Sequence, residues 1–378
     1  MSGTGSMRIA ISNSMTTWGG GENWSLTAAG GLAGRGHEVV LVCRPGSALA
    51  GRAEAAGGFD VEKMGIRGDL NPRVSMKAFS LFRRRGTQIA CCNLDREVRS
   101  LGPAAKASGT VFIRRRGSDY GFKNSLRYRI TYRYFVDGVI VNSDSTMRSI
   151  LSRNAWLERG RLRRIYNGID TARFVPDPGA GAAFRASAGL GADDLVVGIV
   201  GSLLPRKRHA VLFAACADLV RSFPAMRLLV AGPAPTPRHM SETEAAASAA
   251  GVIDRTVFTG PVDDMVGCYN SIDILCMPSI NEGFGYAAAE AMSCGRPVIV
   301  SDASSLPEVV GPDGMIFPVD DAVTLRGMIS RLAGDPGSRA AAGMRGRNRV
   351  VEVFSIGRML DDVEDYFREM IGRRGAGA

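Results

Sequence analysis

Two glutamates, Glu282 and Glu290, are separated by seven residues in the run Asn281-Glu282-Gly283-Phe284-Gly285-Tyr286-Ala287-Ala288-Ala289-Glu290-Ala291-Met292. A carboxylate accepts several hydrogen bonds at once, which suits it to neighbouring hydroxyls. Gly283 and Gly285 flank Phe284 and let the backbone come close to a ligand. A helix that starts after Gly285 presents unsatisfied N–H groups and a partial positive charge, a good seat for phosphate. Glu282 would then take vicinal sugar hydroxyls, and Glu290, about two turns into the helix, those of a ribose. Alone, either acid has a plainer reading: the helix dipole favours an acid at its start, and a helix-interior glutamate is commonly solvated. The whole run favours a site, because Pro278-Ser279 precedes it and Cys294-Gly295-Arg296-Pro297-Val298-Ile299-Val300 follows.

Three further constellations could join it. Gly201-Ser202-Leu203-Leu204-Pro205-Arg206-Lys207-Arg208-His209 follows the apolar run at 195–200. Its cations, Lys207 and Arg206 among them, could face an anionic ligand at the strand end; a solvated basic loop is the alternative. Gly19-Gly20-Gly21-Glu22-Asn23 lies at the first strand–helix junction. Its backbone could admit a phosphate or sugar, or could simply make a tight turn. It is not G-x-G-x-x-G, and Val42-Cys43-Arg44 ends the next strand without the acid of a dinucleotide oxidoreductase. The third is basic: Arg114-Arg115-Arg116-Gly117-Ser118-Asp119, together with Asn93, Asp95 and Arg99 after the preceding strand. Arginine forks suit phosphate or carboxylate, although surface arginines without a ligand have the same sequence appearance.

The elements that position these residues alternate between strand and helix. Strands are predicted at 8–11, 37–42, 87–92, 110–113 and 138–142, and again at 195–200, 227–231, 256–259, 273–277 and 297–300. Alternation of this kind implies parallel sheets covered on both faces, with ligands at the carboxyl ends of the strands. The predicted organisation is a flexible leader over 1–6, a first Rossmann-like domain over 7–170, a linker over 171–193, a second such domain over 194–353, and a terminal helix over 354–378.

The chain has 378 residues, enough for two domains with full cores. No apolar run reaches the roughly 18 residues of a membrane span, and the first residues lack the pattern of a signal peptide. Seven scattered cysteines without a C-x-x-C pair fit reduced core thiols and a cytoplasmic setting. His37, His209 and His239 are too dispersed for a metal site. Residues 1–170 hold 27 Lys+Arg against 13 Asp+Glu, so the net +10 of the chain originates in its front half. Such a half attracts anionic partners, acidic lipid headgroups or phosphorylated glycans among them.

The Glu282–Glu290 run, with the loop at 201–209, resembles the donor-site signature of retaining nucleotide-sugar glycosyltransferases of family 4, the glycosyl transferases group 1. Phe258-Thr259-Gly260, Tyr269-Asn270-Ser271-Ile272-Asp273-Ile274, Leu306-Pro307-Glu308 and Gly314 fit the same pattern. The resemblance is strong over 195–318 and weak from 44 to 137. It implies the α/β GT-B fold, two doubly wound Rossmann-like domains facing a cleft. It also implies a nucleotide-diphosphate sugar as donor substrate, no cofactor and no metal. Glu282, Lys207 and Arg206 become the catalytic set, and Gly20, Gly21, Ser202, Gly283, Phe284, Gly285 and Glu290 bind the donor. Glu22, Asn93, Asp95, Arg99, Arg114, Arg115 and Asp119 become the acceptor set. The implied acceptor is a glycan or lipid-linked saccharide of cell-surface polysaccharide or lipopolysaccharide synthesis, with peripheral contact to the inner face of an anionic membrane and no nucleic-acid partner. Two departures stand out. Ser202 occupies the family's usual arginine position, with Arg206 as the nearest substitute, and no histidine lies between 37 and 209 where many members have one. A GT-B sugar-nucleotide epimerase and a non-catalytic sugar-nucleotide binder are the alternative readings.

Overall fold

The computed structural model describes residues 5–68 and 71–376. The chain divides into two compact units, Met1–Gly168 with Ile356–Ala378, and Ile169–Ser355. The leader expected over 1–6 lies outside the described residues at 1–4; within the rest, the Ser6 hydroxyl donates to Gly36 O at 2.7 Å. Residues 377–378 of the expected terminal helix are likewise outside the described set.

The first unit contains β1 Arg8–Asn13, β2 Glu38–Cys43, β3 Asp60–Lys63, β4 Ile89–Cys92, β5 Val111–Arg116, β6 Gly138–Val141 and β7 Leu162–Arg164. All pair in parallel, in the order β3-β2-β1-β4-β5-β6-β7. Successive side chains take opposite faces, as the pleat requires. Ile9 and Ile11 of β1 join Val39 and Leu41 of β2 in one core cluster; Ala10 joins Val40 and Val42 in the other. A parallel sheet needs both faces covered. Trp24, Ala28 and Leu32 of the Gly20–Gly34 helix cover the first face, and Leu81, Phe82, Val98 and Leu101 of the Pro72–Arg85 and Asp95–Ser108 helices cover the second.

The terminal helix, Ile356–Ala376, belongs to this first unit. Met359, Val363, Phe367 and Met370 recur at helical spacing and enter the first cluster. Glycine is needed where this helix approaches: a Cβ on Gly31 would stand 2.5 Å from Leu360 Cδ1.

The second unit contains β8 Leu195–Val200, β9 Met226–Ala231, β10 Thr256–Gly260, β11 Ile274–Met277, β12 Val298–Ser301 and β13 Met315–Phe317, parallel in the order β10-β9-β8-β11-β12-β13. The stretch expected as a linker over 171–193 holds a helix, Pro178–Ser187. Asp177 caps it at Ala180 N, 2.9 Å away, and Gly181 lies so close to Asn270 that a Cβ would come within 2.5 Å of its carbonyl oxygen. The glycine and alanine content that suggested a loose connection instead permits close helix packing.

In each sheet two strands distant in sequence are neighbours at the centre, β1 with β4 and β8 with β11. Chain connections leave these neighbours in opposite directions, which opens a crevice at their carboxyl ends. One test addresses the role of the terminal helix. Phe367 is fully buried, and Phe367→Ala is expected to lower the stability of the first unit by about 3–5 kcal/mol. Chemical denaturation followed by tryptophan fluorescence checks this, since Trp24 sits in the same cluster; an unchanged transition would remove the helix from that core.

Candidate active site

The loops after β8 and β11 meet at the crevice of the second sheet. Gly201, directly after β8, has φ +147°, and a Cβ there would stand 3.1 Å from Lys207 Nζ. Gly232, after β9, has φ +144°, and its Cβ would fall 2.2 Å from Gly201 O. Only glycine allows this approach. Arg206 then stitches the two loops together: Ile280 N donates to Arg206 O at 2.9 Å, and Arg206 Nη1 donates to Asn281 O at 3.0 Å.

This places Lys207 against Glu282. Lys207 Nζ donates to Glu282 Oε1 at 2.5 Å, and Arg206 Nη1 lies 3.8 Å from Oε2. Lys207 is 8% exposed and Glu282 9%. Removing Glu282 would leave the Lys207 ammonium nearly buried without its carboxylate, at a cost of about 3–5 kcal/mol, whereas removing Lys207 would leave the carboxylate with Arg206 alone. The backbone of Glu282 is also held. Its N–H donates to Ser304 Oγ at 3.2 Å, and the hydroxyls of Ser304 and Ser305 donate to its carbonyl oxygen at 2.6 and 3.0 Å. Ser304 takes a left-handed φ of +58°, an uncommon conformation for a non-glycine residue, in making this clamp. Nothing in the sequence run singles out Ser304 and Ser305. Ser202 is half-buried, and its carbonyl accepts from Leu204 N at 2.7 Å.

In the first unit, Gly20 and Gly21 open the Gly20–Gly34 helix after extended Gly19, and no side chain caps its start. Glu22 is buried in its first turn. Across the crevice between β1 and β4 lies Glu97, fully buried. It accepts from Ser12 Oγ, Ser14 N, Ser14 Oγ, Asn93 N and Leu94 N at 2.5–3.2 Å. Burial raises its pKa, and these donors oppose the rise. Glu97 was absent from the sequence candidates. The available signal was an acid in the first turn of a helix beside Asp95, which ordinarily means only a cap.

Arg114 and Arg115 do not form the open fork expected at the acceptor mouth. β5 runs to Arg116 rather than ending at 113, so both lie within an interior strand, 1% and 3% exposed. Arg114 crosses to the second face, where it pairs with Asp95 at 3.1 Å and donates to Asn93 O at 2.5 Å. Tyr132 also donates to Asp95 Oδ1, at 2.7 Å. Arg115 takes the opposite face: it donates to Asn93 Oδ1 and Asn167 Oδ1 at 3.0 and 2.8 Å and lies over the Trp24 ring. Both guanidiniums thus tie elements of the first unit together. Arg99 stacks near Tyr128 at 5.4 Å, and Asp119 accepts from Ser145 Oγ at 3.1 Å, farther along the chain from the β1–β4 crevice. Among the described residues no group of three or more His, Cys, Asp or Glu is arranged to hold a metal ion.

The helix Tyr286–Ser293 starts from Gly285, at φ +98°, without a side-chain cap, in the loop that follows β11. Phe284 is buried and anchors the turn, edge-on to Tyr286 and Phe354 at 5.4 and 5.5 Å. Glu290 follows one face of this helix, and Tyr269 donates to its Oε2 at 2.7 Å. Burial pushes the Glu290 carboxyl from 4.5 up to about 7, against the pull of the Tyr269 bond and of Arg173. His209, beside Lys207, is held neutral: burial and that ammonium lower its pKa to about 4. The raised Glu290 value has a stability consequence. Between 4.5 and about 7 the native state keeps a proton that the unfolded chain releases, so stability falls as pH rises through this window. Glu290→Gln keeps the neutral form throughout. Its melting temperature relative to wild type is expected to climb between about pH 5 and about pH 8, and a constant difference would contradict a raised Glu290 carboxyl.

Comparison with known proteins bears on the family and the fold. The glycosyl transferases group 1 model matches residues 194–335, and the glycosyltransferase family 4 model matches residues 18–173. The chain is 34% identical over 221 residues to a D-inositol 3-phosphate glycosyltransferase of Saccharomonospora viridis, a match covering 55% of this chain and 50% of that protein. It therefore spans about half the length of that relative. It is 29% identical over 268 residues to a GDP-mannose-dependent alpha-(1-6)-phosphatidylinositol monomannoside mannosyltransferase of Mycolicibacterium smegmatis, covering 66% of this chain and 68% of that one. Among solved structures, a glycosyltransferase from Rickettsia africae superposes with a TM-score of 0.88 at 17% identity, covering 97% of this chain and 99% of that one. Anabaena HepE in complex with UDP gives 0.85 at 18%, covering 96% and 100%. The structural likeness shows the GT-B fold, two Rossmann-like units with sheets of seven and six strands. The chain belongs to glycosyltransferase family 4, the glycosyl transferases group 1.

Proposed function

We propose that the chain is a retaining glycosyltransferase that moves a sugar from a nucleotide-diphosphate sugar to a glycan or lipid-linked acceptor. The observation that carries this reading is the convergence of Lys207, Arg206 and Glu282 at the β8–β11 crevice. Lys207 and Arg206 meet the diphosphate, Glu282 the sugar hydroxyls, and Glu290 the ribose. The bond from the anomeric carbon to the phosphate oxygen breaks, and its electron pair leaves with the diphosphate. The acceptor oxygen bonds to the same face of that carbon, and its proton passes to a phosphate oxygen. The two cations face the charge that grows in this step, so they stabilise the transition state more than the bound donor. That is the work a metal ion does elsewhere, and the reading is metal-independent. HepE has been solved with UDP, which supports a nucleotide donor without fixing its base for this chain.

The acceptor side falls to the first unit, where Gly20, Gly21, Glu22 and Asn93 surround the β1–β4 crevice. An acceptor carried on a membrane lipid is supported by one relative named for a phosphatidylinositol mannoside and by the helix Leu126–Phe135. This helix exposes Leu126, Ile130 and Tyr134 at four-residue intervals, with exposed Arg127, Arg129 and Arg133 beside them. No described helix is long and apolar enough to cross a membrane. An amphipathic basic surface would rest on an anionic leaflet, each cation contributing about 1 kcal/mol at low salt. Cell-surface polysaccharide or lipopolysaccharide synthesis at the inner face of the cytoplasmic membrane is the setting this implies.

Lys207→Met is expected to lower kcat by about 10²–10³-fold while turnover persists in EDTA. NMR of the product should show the anomeric configuration of the donor. An inverted product would refute the stereochemistry, and a product of unchanged mass but altered configuration would make the protein an epimerase. Vesicle sedimentation checks the surface: Leu126→Ser with Ile130→Ser should weaken binding to phosphatidylglycerol vesicles, and high salt should do the same for the wild type. Equal binding to phosphatidylcholine vesicles would remove the electrostatic argument.

A further inference from the structure

We infer that Lys207 and Glu282 form a partner-exchange latch, which makes the site hold a sugar-bearing nucleotide diphosphate and release the bare one. The inference rests on the donor reading above and goes beyond it by assigning Glu282 a role in discriminating substrate from product.

The two charges are each other's partners in the unliganded fold. Lys207 Nζ donates to Glu282 Oε1 at 2.5 Å, and both side chains are only about a tenth exposed. The backbone that carries Glu282 is anchored, because Ser304 and Ser305 hold its N–H and carbonyl from one side, and Gly201 and Gly232 keep the Lys207 loop close on the other. Arg206 is the second cation near the carboxylate; it stands 3.8 Å off and is tied to Asn281 O.

A diphosphate entering this crevice draws Lys207 toward its own oxygens. Glu282 is then left with Arg206, which stands 3.8 Å off and is shared with the diphosphate, and with new negative charge beside it. A nearly buried carboxylate in that position is strongly disfavoured unless something donates to it. The attached sugar supplies such donors, because its hydroxyls bond the carboxylate as the lysine leaves. A bare diphosphate brings the same negative charge and no hydroxyls at that point. Sugar and lysine therefore substitute for each other at Glu282. Once the sugar has moved to the acceptor, the carboxylate reclaims Lys207 and the diphosphate loses its best cation.

Calorimetry with UDP, GDP and ADP, alongside UDP-glucose, GDP-mannose and ADP-glucose, tests this on wild type, Glu282→Gln, Lys207→Met and the double variant. For the base that the wild type accepts, the sugar form is expected to bind about tenfold more tightly than the diphosphate. Glu282→Gln should tighten the diphosphate by about tenfold and abolish the preference for the sugar form. In the Lys207→Met background the same substitution should have a much smaller effect, which an independent structural defect would not produce. Diphosphate affinity unchanged or weakened in Glu282→Gln would overturn the latch while leaving the donor reading intact, provided a sugar nucleotide binds the wild type. If no sugar nucleotide in the panel binds the wild type, the donor reading fails and the latch fails with it. The wild-type comparison needs no variant to fold: a diphosphate that binds as tightly as its sugar form overturns the proposal by itself.

Discussion

A lysine and a glutamate that are both nearly removed from water are tolerable only together, and the pair Lys207–Glu282 is the constraint around which the second unit is arranged. To bring them within 2.5 Å, two loops more than seventy residues apart in sequence must emerge side by side. The strand order does this, because β8 and β11 are neighbours only where the sheet topology reverses direction. The glycines at 201 and 232 then remove the side chains that would hold the loops apart. The two serines after β12 fix the glutamate backbone. Each of these features is locally unfavourable or neutral; each makes sense through the position of one carboxylate.

The first unit repeats the topology but uses its crevice differently. Its central carboxylate, Glu97, accepts from five donors at the ends of β1 and β4. That carboxylate is a structural tie that shapes the crevice and presents no open face. Arg114 and Arg115 act similarly, spreading from one strand to opposite faces of the sheet and binding loop oxygens there. The positive charge of the front half is thus of two kinds: part is consumed inside the fold, and part is displayed on helices such as Leu126–Phe135.

Ten strands were legible in the sequence and stand near their expected positions, nine of them interior strands rich in apolar residues and the tenth the edge strand β10. β3, β7 and β13 were not, and all three are sheet edges. Asp60-Val61-Glu62-Lys63 and Leu162-Arg163-Arg164 are short and mostly polar, since an edge strand meets water and is held by backbone pairing on one side only. β5 was read too short for a related reason. Three consecutive arginines look like the end of a strand, whereas here the first two are buried through specific partners that only the tertiary structure supplies. In the site, candidate residues such as Lys207 and Glu282 could be picked from their types and their expected places at strand ends. Glu97, Ser304 and Ser305 could not, because their importance lies in what they hold and not in their own local pattern.

The central claim is that the crevice between β8 and β11 binds an activated sugar by separating Lys207 from Glu282. A crystal structure of the protein with an intact, non-hydrolysable sugar nucleotide tests it most directly. The expected result is Lys207 Nζ on a diphosphate oxygen, Glu282 accepting from sugar hydroxyls, and Glu290 accepting from the ribose. A ligand bound elsewhere, with the 2.5 Å contact between Lys207 and Glu282 still closed, would contradict it.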